Sequence, residues 1–408
     1  MSINPGRLLG DLKYLRTIGA YKTGVHRPTL SADDVFVRQW LVNQMRDAGL
    51  HADVDGIGNI LGVSQKDGPI VLSGSHIETQ NQAGWLDGAL GVIYALECAR
   101  AIKGSCSTPG GVDVAVFCDE EGHYGSFLGS RSFLGLLNES EIDNARNVTT
   151  GQPMREALKV AGYDGKSRFV LDPFRYVGFF EAHIEQGQVL ESSKKRLGVV
   201  SAIVGFWQYK ISVVGEQNHA GTTPMILRRD AGLTLVRLLN KIDTDFRTAA
   251  SEHTVWTTGK ITLEPGGRSI IPGKAEALFQ IRDTNVQVLK RLDRLLESLV
   301  AEADKIGPCK LTLTRMSASQ PAQMDQKLVG FVEQGAKSVA AADVLKMQSG
   351  AAHDAQYMAT KMPTAMLFVP SIGGISHHWT EDTTDDDIVL GATAFARAIS
   401  LTLEAHAR

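Results

Sequence analysis

Residues 112–121 read VDVAVFCDEE, an apolar run of Val, Ala and Phe that ends at once in the acidic side chains Asp119, Glu120 and Glu121. A run this short, rich in β-branched and aromatic residues and closed by polar ones, reads as a buried strand. The pattern recurs along the chain. PIVLSG at 69–74 leads into His76, VGFFEAH at 177–183 ends in His183, and TAMLFVPS at 364–371 precedes GGISHH with its His377. Helical patterns lie between them: 33–48, with Val35, Val37, Leu41, Val42 and Met45 ahead of a Gly49 stop, and 88–102. Strand-like runs alternating with helical ones predict an α/β domain with a largely parallel sheet.

A different rhythm fills 206–318. Trp207, Tyr209, Ile211 and Val213 alternate with Gln208, Lys210 and Ser212, as in a half-buried strand. A helix near 230–245 follows, then TVWTTGKITLE and KAEALFQIRD, and then a long amphipathic helix with Leu289, Leu292, Leu296, Leu299, Ala303 and Ile306 on one stripe. The strand CKLTLTRMS closes a β-α-β-β-α-β order, the ferredoxin-like split unit. Helix 325–341, strand 364–369 and a final helix from about 385 return to α/β character. The expected architecture is a catalytic α/β domain, residues 1–205 and 319–408, with a mostly parallel central sheet flanked by helices, interrupted by an inserted ferredoxin-like α+β domain at 206–318.

The 408 residues are 43% hydrophobic and 21% charged, ordinary globular composition with length for two or three domains. A net charge of −3 supplies no field to draw nucleic acid or an anionic membrane, so a small molecule is the expected partner. No apolar stretch approaching the ~20 residues of a membrane span is expected, and the start, MSINPGRLLGDLKYLRTIG, lacks the apolar core of a signal peptide. Cys98, Cys106, Cys118 and Cys309 show no paired spacing, which suits reduced thiols. The expectation is a cytoplasmic protein.

His76, Asp87 in GWLDG, Glu120 with Glu121, His183 and His377 are each expected just past a strand-like run. In a parallel α/β sheet the carboxyl ends of the strands line one crevice, so residues spread over the chain can meet there. Imidazole and carboxylate together suit a borderline cation such as zinc. Three histidines and two carboxylates suit two metals, with a carboxylate such as Asp87 bridging them. Of the adjacent glutamates, one can bind metal while the other serves as general base and then acid. An isolated histidine is most often a surface or structural residue, and His26, His51, His253 and His406 are assigned no role.

Seven segments in chain order carry a resemblance: GSHIETQNQAGWLDGALGV, DEEGHYGSFLGSRSF, EAHIEQGQVLE, NHAGTTPMILRRDA, RSIIPG with QIRD, SGAAHDAQ, and FVPSIGGISHHWTEDT. The chain resembles the zinc-dependent amidohydrolases of hydantoinase/carbamoylase type, which include N-carbamoyl-L-amino acid hydrolases, allantoate amidohydrolases and β-ureidopropionases, within the aminoacylase and carboxypeptidase superfamily. The resemblance implies two divalent metal ions, zinc first and manganese, cobalt or nickel as substitutes. His76 and His183 would hold one, Glu121 and His377 the other, and Asp87 would bridge, with Glu120 as catalytic base. It further implies a homodimer through the inserted domain, with His219 stabilising the oxyanion in the partner's site, and substrate contacts from Gln186, His219, Ser269, Arg282 and His353.

Three positions depart from the family's pattern. Glu78 replaces an aspartate that orients the first histidine, and the longer carboxylate is expected to keep that task. HYGSF, after DEEG, replaces a longer segment with an arginine. Ser269 replaces an asparagine that contacts the substrate carboxylate. The implied reaction is metal-dependent cleavage of an amide or carbamoyl C–N bond in an N-carbamoyl, ureido or N-acyl amino-acid-like substrate. The alternatives are an N-acyl-amino-acid amidase or dipeptidase on the same scaffold. A catalytically dead binding homologue would be expected to have lost a ligand or the base, and all six positions are intact.

Overall fold

The computed structural model describes residues 1–103 and 108–407, so Cys106 lies outside the described residues. The chain forms two compact units, one of Met1–Ala202 with Gln323–Arg408 and one of Ile203–Ala322.

The first unit is built on a nine-stranded sheet. Four neighbouring strands at its centre run parallel: Thr364–Val369, Tyr176–Ile184, Ile70–His76 and Gly111–Phe117. Residues on both faces of these strands are buried, which is why they read as unbroken apolar runs rather than as alternation. The sheet is mixed, however. Leu197–Ile203 joins Thr364–Val369 antiparallel, and Ile60–Val63 and His51–Val54 add an antiparallel flank on the other side. These flanking strands escape a reading by apolar runs because the last two are four residues long and alternate in burial.

Helices start at side-chain caps. Ser31 accepts from the Asp34 amide at the head of Ala32–Asp47, Asp325 from Leu328 for Gln326–Ala340, and Thr384 from Asp387 for Asp385–His406. The last of these is 22 residues long and, against expectation, apolar enough to cross a membrane by length and composition. Its buried residues include Ile388, Phe395, Ile399 and Leu403, and it lies against Gln326–Ala340 and the sheet.

The second unit is a four-stranded antiparallel sheet in the order Val255–Glu264, Lys274–Asp283, Gly205–Val214, Lys310–Ala318. Helices Ala231–Ala249 and Val286–Ile306 contribute Leu235, Leu238, Ile242, Leu289, Leu292 and Leu296 to a core with Trp207, Tyr209, Ile211, Ala277 and Phe279. Ile306, expected on the buried stripe, is 75% exposed, because the helix ends there and Gly307 turns the chain away. A two-residue ribbon, Asn218–His219 paired with Ile270–Ile271, stands apart from the sheet.

The buried stripe of Ala32–Asp47 holds a charged pair among its apolar residues. Arg38 and Asp34 are fully buried; Arg38 Nε donates to Asp34 Oδ2 at 3.0 Å, Nη1 to the Gly58 carbonyl at 2.8 Å and Nη2 to Glu78 Oε2 at 2.7 Å. The network ties this helix to the loop after the central strand Ile70–His76. Removing this guanidinium would leave two buried carboxylates without their ion pair. Arg38→Met is therefore expected to cost about 3–5 kcal/mol, read from the urea midpoint of the first unit; a loss under ~1 kcal/mol, the scale of an exposed pair, would contradict this account.

Candidate metal centre and active site

His76 is the last residue of Ile70–His76, His183 the next to last of Tyr176–Ile184, and Glu120 and Glu121 follow Gly111–Phe117. Since these strands are parallel neighbours, their carboxyl ends deliver the four side chains to one edge of the sheet. Asp87 and His377 arrive differently from the expectation that each closes a strand. Asp87 stands just ahead of helix Ala89–Lys103, and His377 lies in a loop beyond the short helical turn Ile372–Gly374. Gly88 beside Asp87 has φ +68°, and a Cβ there would lie 2.4 Å from the His76 ring. Only glycine allows that approach. His377 and Gln186 hold left-handed conformations, φ +56° and +59°, without being glycine, a strain of the kind that gathers at functional sites.

The Asp87 carboxylate faces two ways. Oδ1 lies 3.1 Å from His183 Nε2 and 3.4 Å from His76 Nε2, while Oδ2 lies 3.4 Å from His377 Nε2. His377 Nε2 is in turn 3.6 Å from Glu121 Oε2. Two donor groups result, His76–Asp87–His183 and Asp87–Glu121–His377, each with its ligand atoms within 4.8 Å of one another. They share Asp87. Glu120 Oε2 sits beside them, 3.8 Å from His76 Nε2.

The donors are aimed as a cation requires. His76 Nδ1 meets the Glu78 carbonyl at 3.1 Å and His183 Nδ1 meets the Ile184 carbonyl at 2.9 Å. A carbonyl only accepts, so each Nδ1 carries a proton and each ring, once neutral, turns its Nε2 lone pair to the site, where that of His183 accepts the Gly88 amide at 3.2 Å. His76 Nε2 is buried with no hydrogen-bond partner. An orphaned buried nitrogen among histidines and carboxylates fits a divalent ion.

Electrostatics follow from this crowding. Burial raises the Glu120 carboxyl well above the usual range; His76 opposes this, and Glu121, Asp354 and Asp87 add to it. Burial also raises Glu121, with Asp87 adding. For Asp87 burial is again the largest influence, but the facing histidines, His183 first, outweigh it and hold the carboxyl well below its ordinary value.

Several partners had no signal in the sequence beyond being polar residues near a motif. Gln80 donates from its amide nitrogen Nε2 to Glu121 Oε2 at 2.9 Å and from its main chain to Oε1 at 3.1 Å. Ser376 Oγ lies 3.2 Å from Asp87 Oδ2 and 3.0 Å from the buried Glu381. Gln186, a predicted substrate contact, donates to Asp87 Oδ2 at 2.9 Å. His353 is buried: its ring stands edge-on to His183 at 4.6 Å and its Nε2 meets Ser349 Oγ at 2.9 Å, with burial and then His183 holding it well below the ordinary imidazole range. The Glu78 carboxylate does not keep the expected task of orienting His76. The main-chain oxygen of Glu78 holds His76, while its carboxylate accepts the Glu120 amide at 2.7 Å and the Arg38 guanidinium. In HYGSF, the amides of His123, Tyr124 and Gly125 all donate to Asp119, closing a tight turn behind Glu120.

Within the second unit, His219 is exposed and its Nδ1 accepts from the amides of Gly221 and Thr222 at 3.0 and 3.1 Å. The ring proton therefore sits on Nε2. Ser269 lies alongside, its carbonyl accepting the Ala220 amide at 3.0 Å. Arg282 stands on Lys274–Asp283 with its guanidinium 5.7 Å over the Phe206 ring.

Protons compete with metal for these histidines. His377 is raised to about 9, first by its hydrogen bond to Asp87. For His76 and His183 burial is the largest influence and pulls downward, but Glu120 and Asp87 respectively lead the carboxylates that lift both above the ordinary value. A proton held on His377 below about 9 must leave before an ion binds. Metal affinity is expected to climb with pH up to about 9, with proton release seen as buffer-dependent heat in calorimetry. Affinity that stays flat between the ordinary 6.5 and 9 would contradict this.

Residues 73–401 match the model of peptidase family M20/M25/M40. An N-carbamoyl-L-amino-acid amidohydrolase from a Pseudomonas species is 31% identical, covering 98% of each chain. The allantoate amidohydrolase of Escherichia coli is 32% identical over 94% of this chain and 95% of its own. The crystal structure of an amidase of the hydantoinase/carbamoylase family from Burkholderia phymatum is 44% identical, with a TM-score of 0.93 and coverage of 99% of this chain and 98% of that one. The chain belongs to peptidase family M20/M25/M40, among its amidohydrolases of hydantoinase/carbamoylase type.

Proposed function

We propose that this protein is a dinuclear metal amidohydrolase that cleaves a C–N amide or carbamoyl bond in a small N-carbamoyl, ureido or N-acyl amino-acid-like substrate. The observation that carries the reading is the two-way Asp87 carboxylate, with His76 and His183 on one oxygen and His377 on the other. The names of the relatives, acting on N-carbamoyl amino acids and on allantoate, support the bond type.

His76, His183 and Asp87 would hold one ion and Asp87, Glu121 and His377 the other, with zinc first and manganese, cobalt or nickel accepted by the same donors. Bound there, such ions acidify a water and polarise the substrate carbonyl. Glu120 takes a proton from the attacking water and passes it to the departing nitrogen as the C–N bond breaks. Its fixed main chain, held by Glu78, keeps the carboxylate in place for both transfers. From an N-carbamoyl substrate the products are the free amine and carbamic acid, which breaks down to carbon dioxide and ammonia.

The second unit is assigned to dimerisation. His219 of each copy would reach the other's site and donate from Nε2 to the oxyanion, an exchange that an isologous interface makes reciprocal. Arg282 suits a bidentate grip on a substrate carboxylate. Ser269, shorter than the family's asparagine, leaves that grip with less help and points to an acid group placed differently from that of a plain N-carbamoyl α-amino acid. Gln186 and His353 are assigned to the substrate side of the centre. Cys98, Cys118 and Cys309 are buried free thiols, in keeping with the cytoplasm as site of action.

Glu120→Gln is expected to retain metal and fold but to lose at least ~10²–10⁴-fold in kcat, since an amide cannot take up the water's proton; activity within about tenfold of wild type would sink the assignment. The dimer assignment is tested by mixing His219→Ala and Glu120→Ala chains, each nearly inactive alone. A heterodimer holds one complete site, so equal mixing with free exchange should restore about a quarter of wild-type activity. No recovery, with heterodimers and metal loading demonstrated, would mean that His219 does not serve the neighbouring copy.

A further inference from the structure

The two donor groups are anchored unequally. His76 and His183 are on central strands with Nδ1 pinned to main-chain carbonyls, and each side chain is 1% exposed. His377, whose side chain is 51% exposed, stands in a loop, and its neighbour Ser376 offers one hydroxyl proton to two carboxylates, Asp87 Oδ2 at 3.2 Å and Glu381 Oε2 at 3.0 Å. A hydroxyl donates to one acceptor at a time. Gln186 Nε2 already donates to Asp87 Oδ2 at 2.9 Å, so a hydroxyl turned onto that oxygen would occupy its remaining lone pair, the one the second ion needs.

Glu381 is built into the opposite wall of this choice. It is 1% exposed, its Oε1 accepts the main-chain amides of Leu86 at 3.2 Å and Asp87 at 3.1 Å, and a Cβ on Gly84 would lie 1.9 Å from that oxygen. A carboxylate held by two amides on one oxygen has its other oxygen free only to accept. We propose that Glu381 is the positioning residue of the second metal site: it draws the Ser376 hydroxyl away from Asp87 Oδ2 and so keeps the bridging oxygen open to the ion beside His377 and Glu121. This rests on the dinuclear reading above and assigns to Glu381 no contact with substrate or metal.

Glu381→Gln isolates the claim, because the amide oxygen can still accept the two main-chain amides while its NH2 group donates to Ser376 Oγ and turns the hydroxyl onto Asp87. Zn2+ is titrated into metal-free protein against a chromophoric chelator. The wild type is expected to bind two ions, and the variant to bind the first normally and the second ~10–100-fold more weakly. Adding Ser376→Ala to that variant removes the misdirected hydroxyl and should recover most of the second affinity. Ser376→Ala alone should leave the second affinity undiminished, and this arm stands even if Glu381→Gln fails to fold. Equal affinities in Glu381→Gln and wild type, equal weakening of both ions, no recovery in the double variant, or weakening by Ser376→Ala alone would each overturn the proposal. A wild type that binds a single ion would sink the dinuclear reading itself, and this inference with it.

Discussion

One carboxylate, Asp87, has to face three imidazoles at once, and much of the first unit can be understood as meeting that constraint. The strand ends supply His76 and His183 on the side of Oδ1, and the loop carrying His377 supplies the third ring on the side of Oδ2. The Asp87 loop is pressed in from behind: Gly88 lets it pass the His76 ring, and Glu381 holds its amides. A carboxylate in so little solvent would ordinarily be protonated. The facing histidines reverse that, so the carboxylate keeps its charge inside the fold.

The same constraint reaches Glu120, the proposed base, through a different chain of contacts. Arg38 on the helix Ala32–Asp47 clamps the Glu78 carboxylate, and Glu78 in turn holds the Glu120 amide while its carbonyl holds the His76 ring. Glu120 and His76 therefore take their positions from one buried residue. The long side chain at position 78 serves both at once: its main chain meets the His76 ring and its carboxylate accepts the Glu120 amide.

How far the sequence could be read follows from where each residue gets its position. The four central strands were legible because burial on both faces leaves unbroken apolar runs, and His76, His183, Glu120 and Glu121 are fixed by those strands. The buried stripe of Val286–Ile306 was legible up to Leu299, and failed at Ile306, where the helix runs out of core to cover. The short antiparallel flank His51–Val54 and Ile60–Val63 leaves too few residues for a period to show. Gln80, Ser376 and Glu381 were invisible for another reason: their roles depend on which carboxylate oxygen they reach, and loop residues carry no periodicity that reports it. Asp87 and His377 were expected just past strand-like runs, but the one stands ahead of a helix and the other beyond a helical turn.

The central claim is that Asp87 bridges two ions held by separate histidine sets, and anomalous diffraction from crystals of the zinc-replete protein tests it most directly. The account predicts two anomalous peaks ~3.5–4 Å apart, one among His76, Asp87 and His183 and the other among Asp87, Glu121 and His377, with an Asp87 oxygen on each. A single peak in fully loaded protein, or a second peak away from His377, would contradict it.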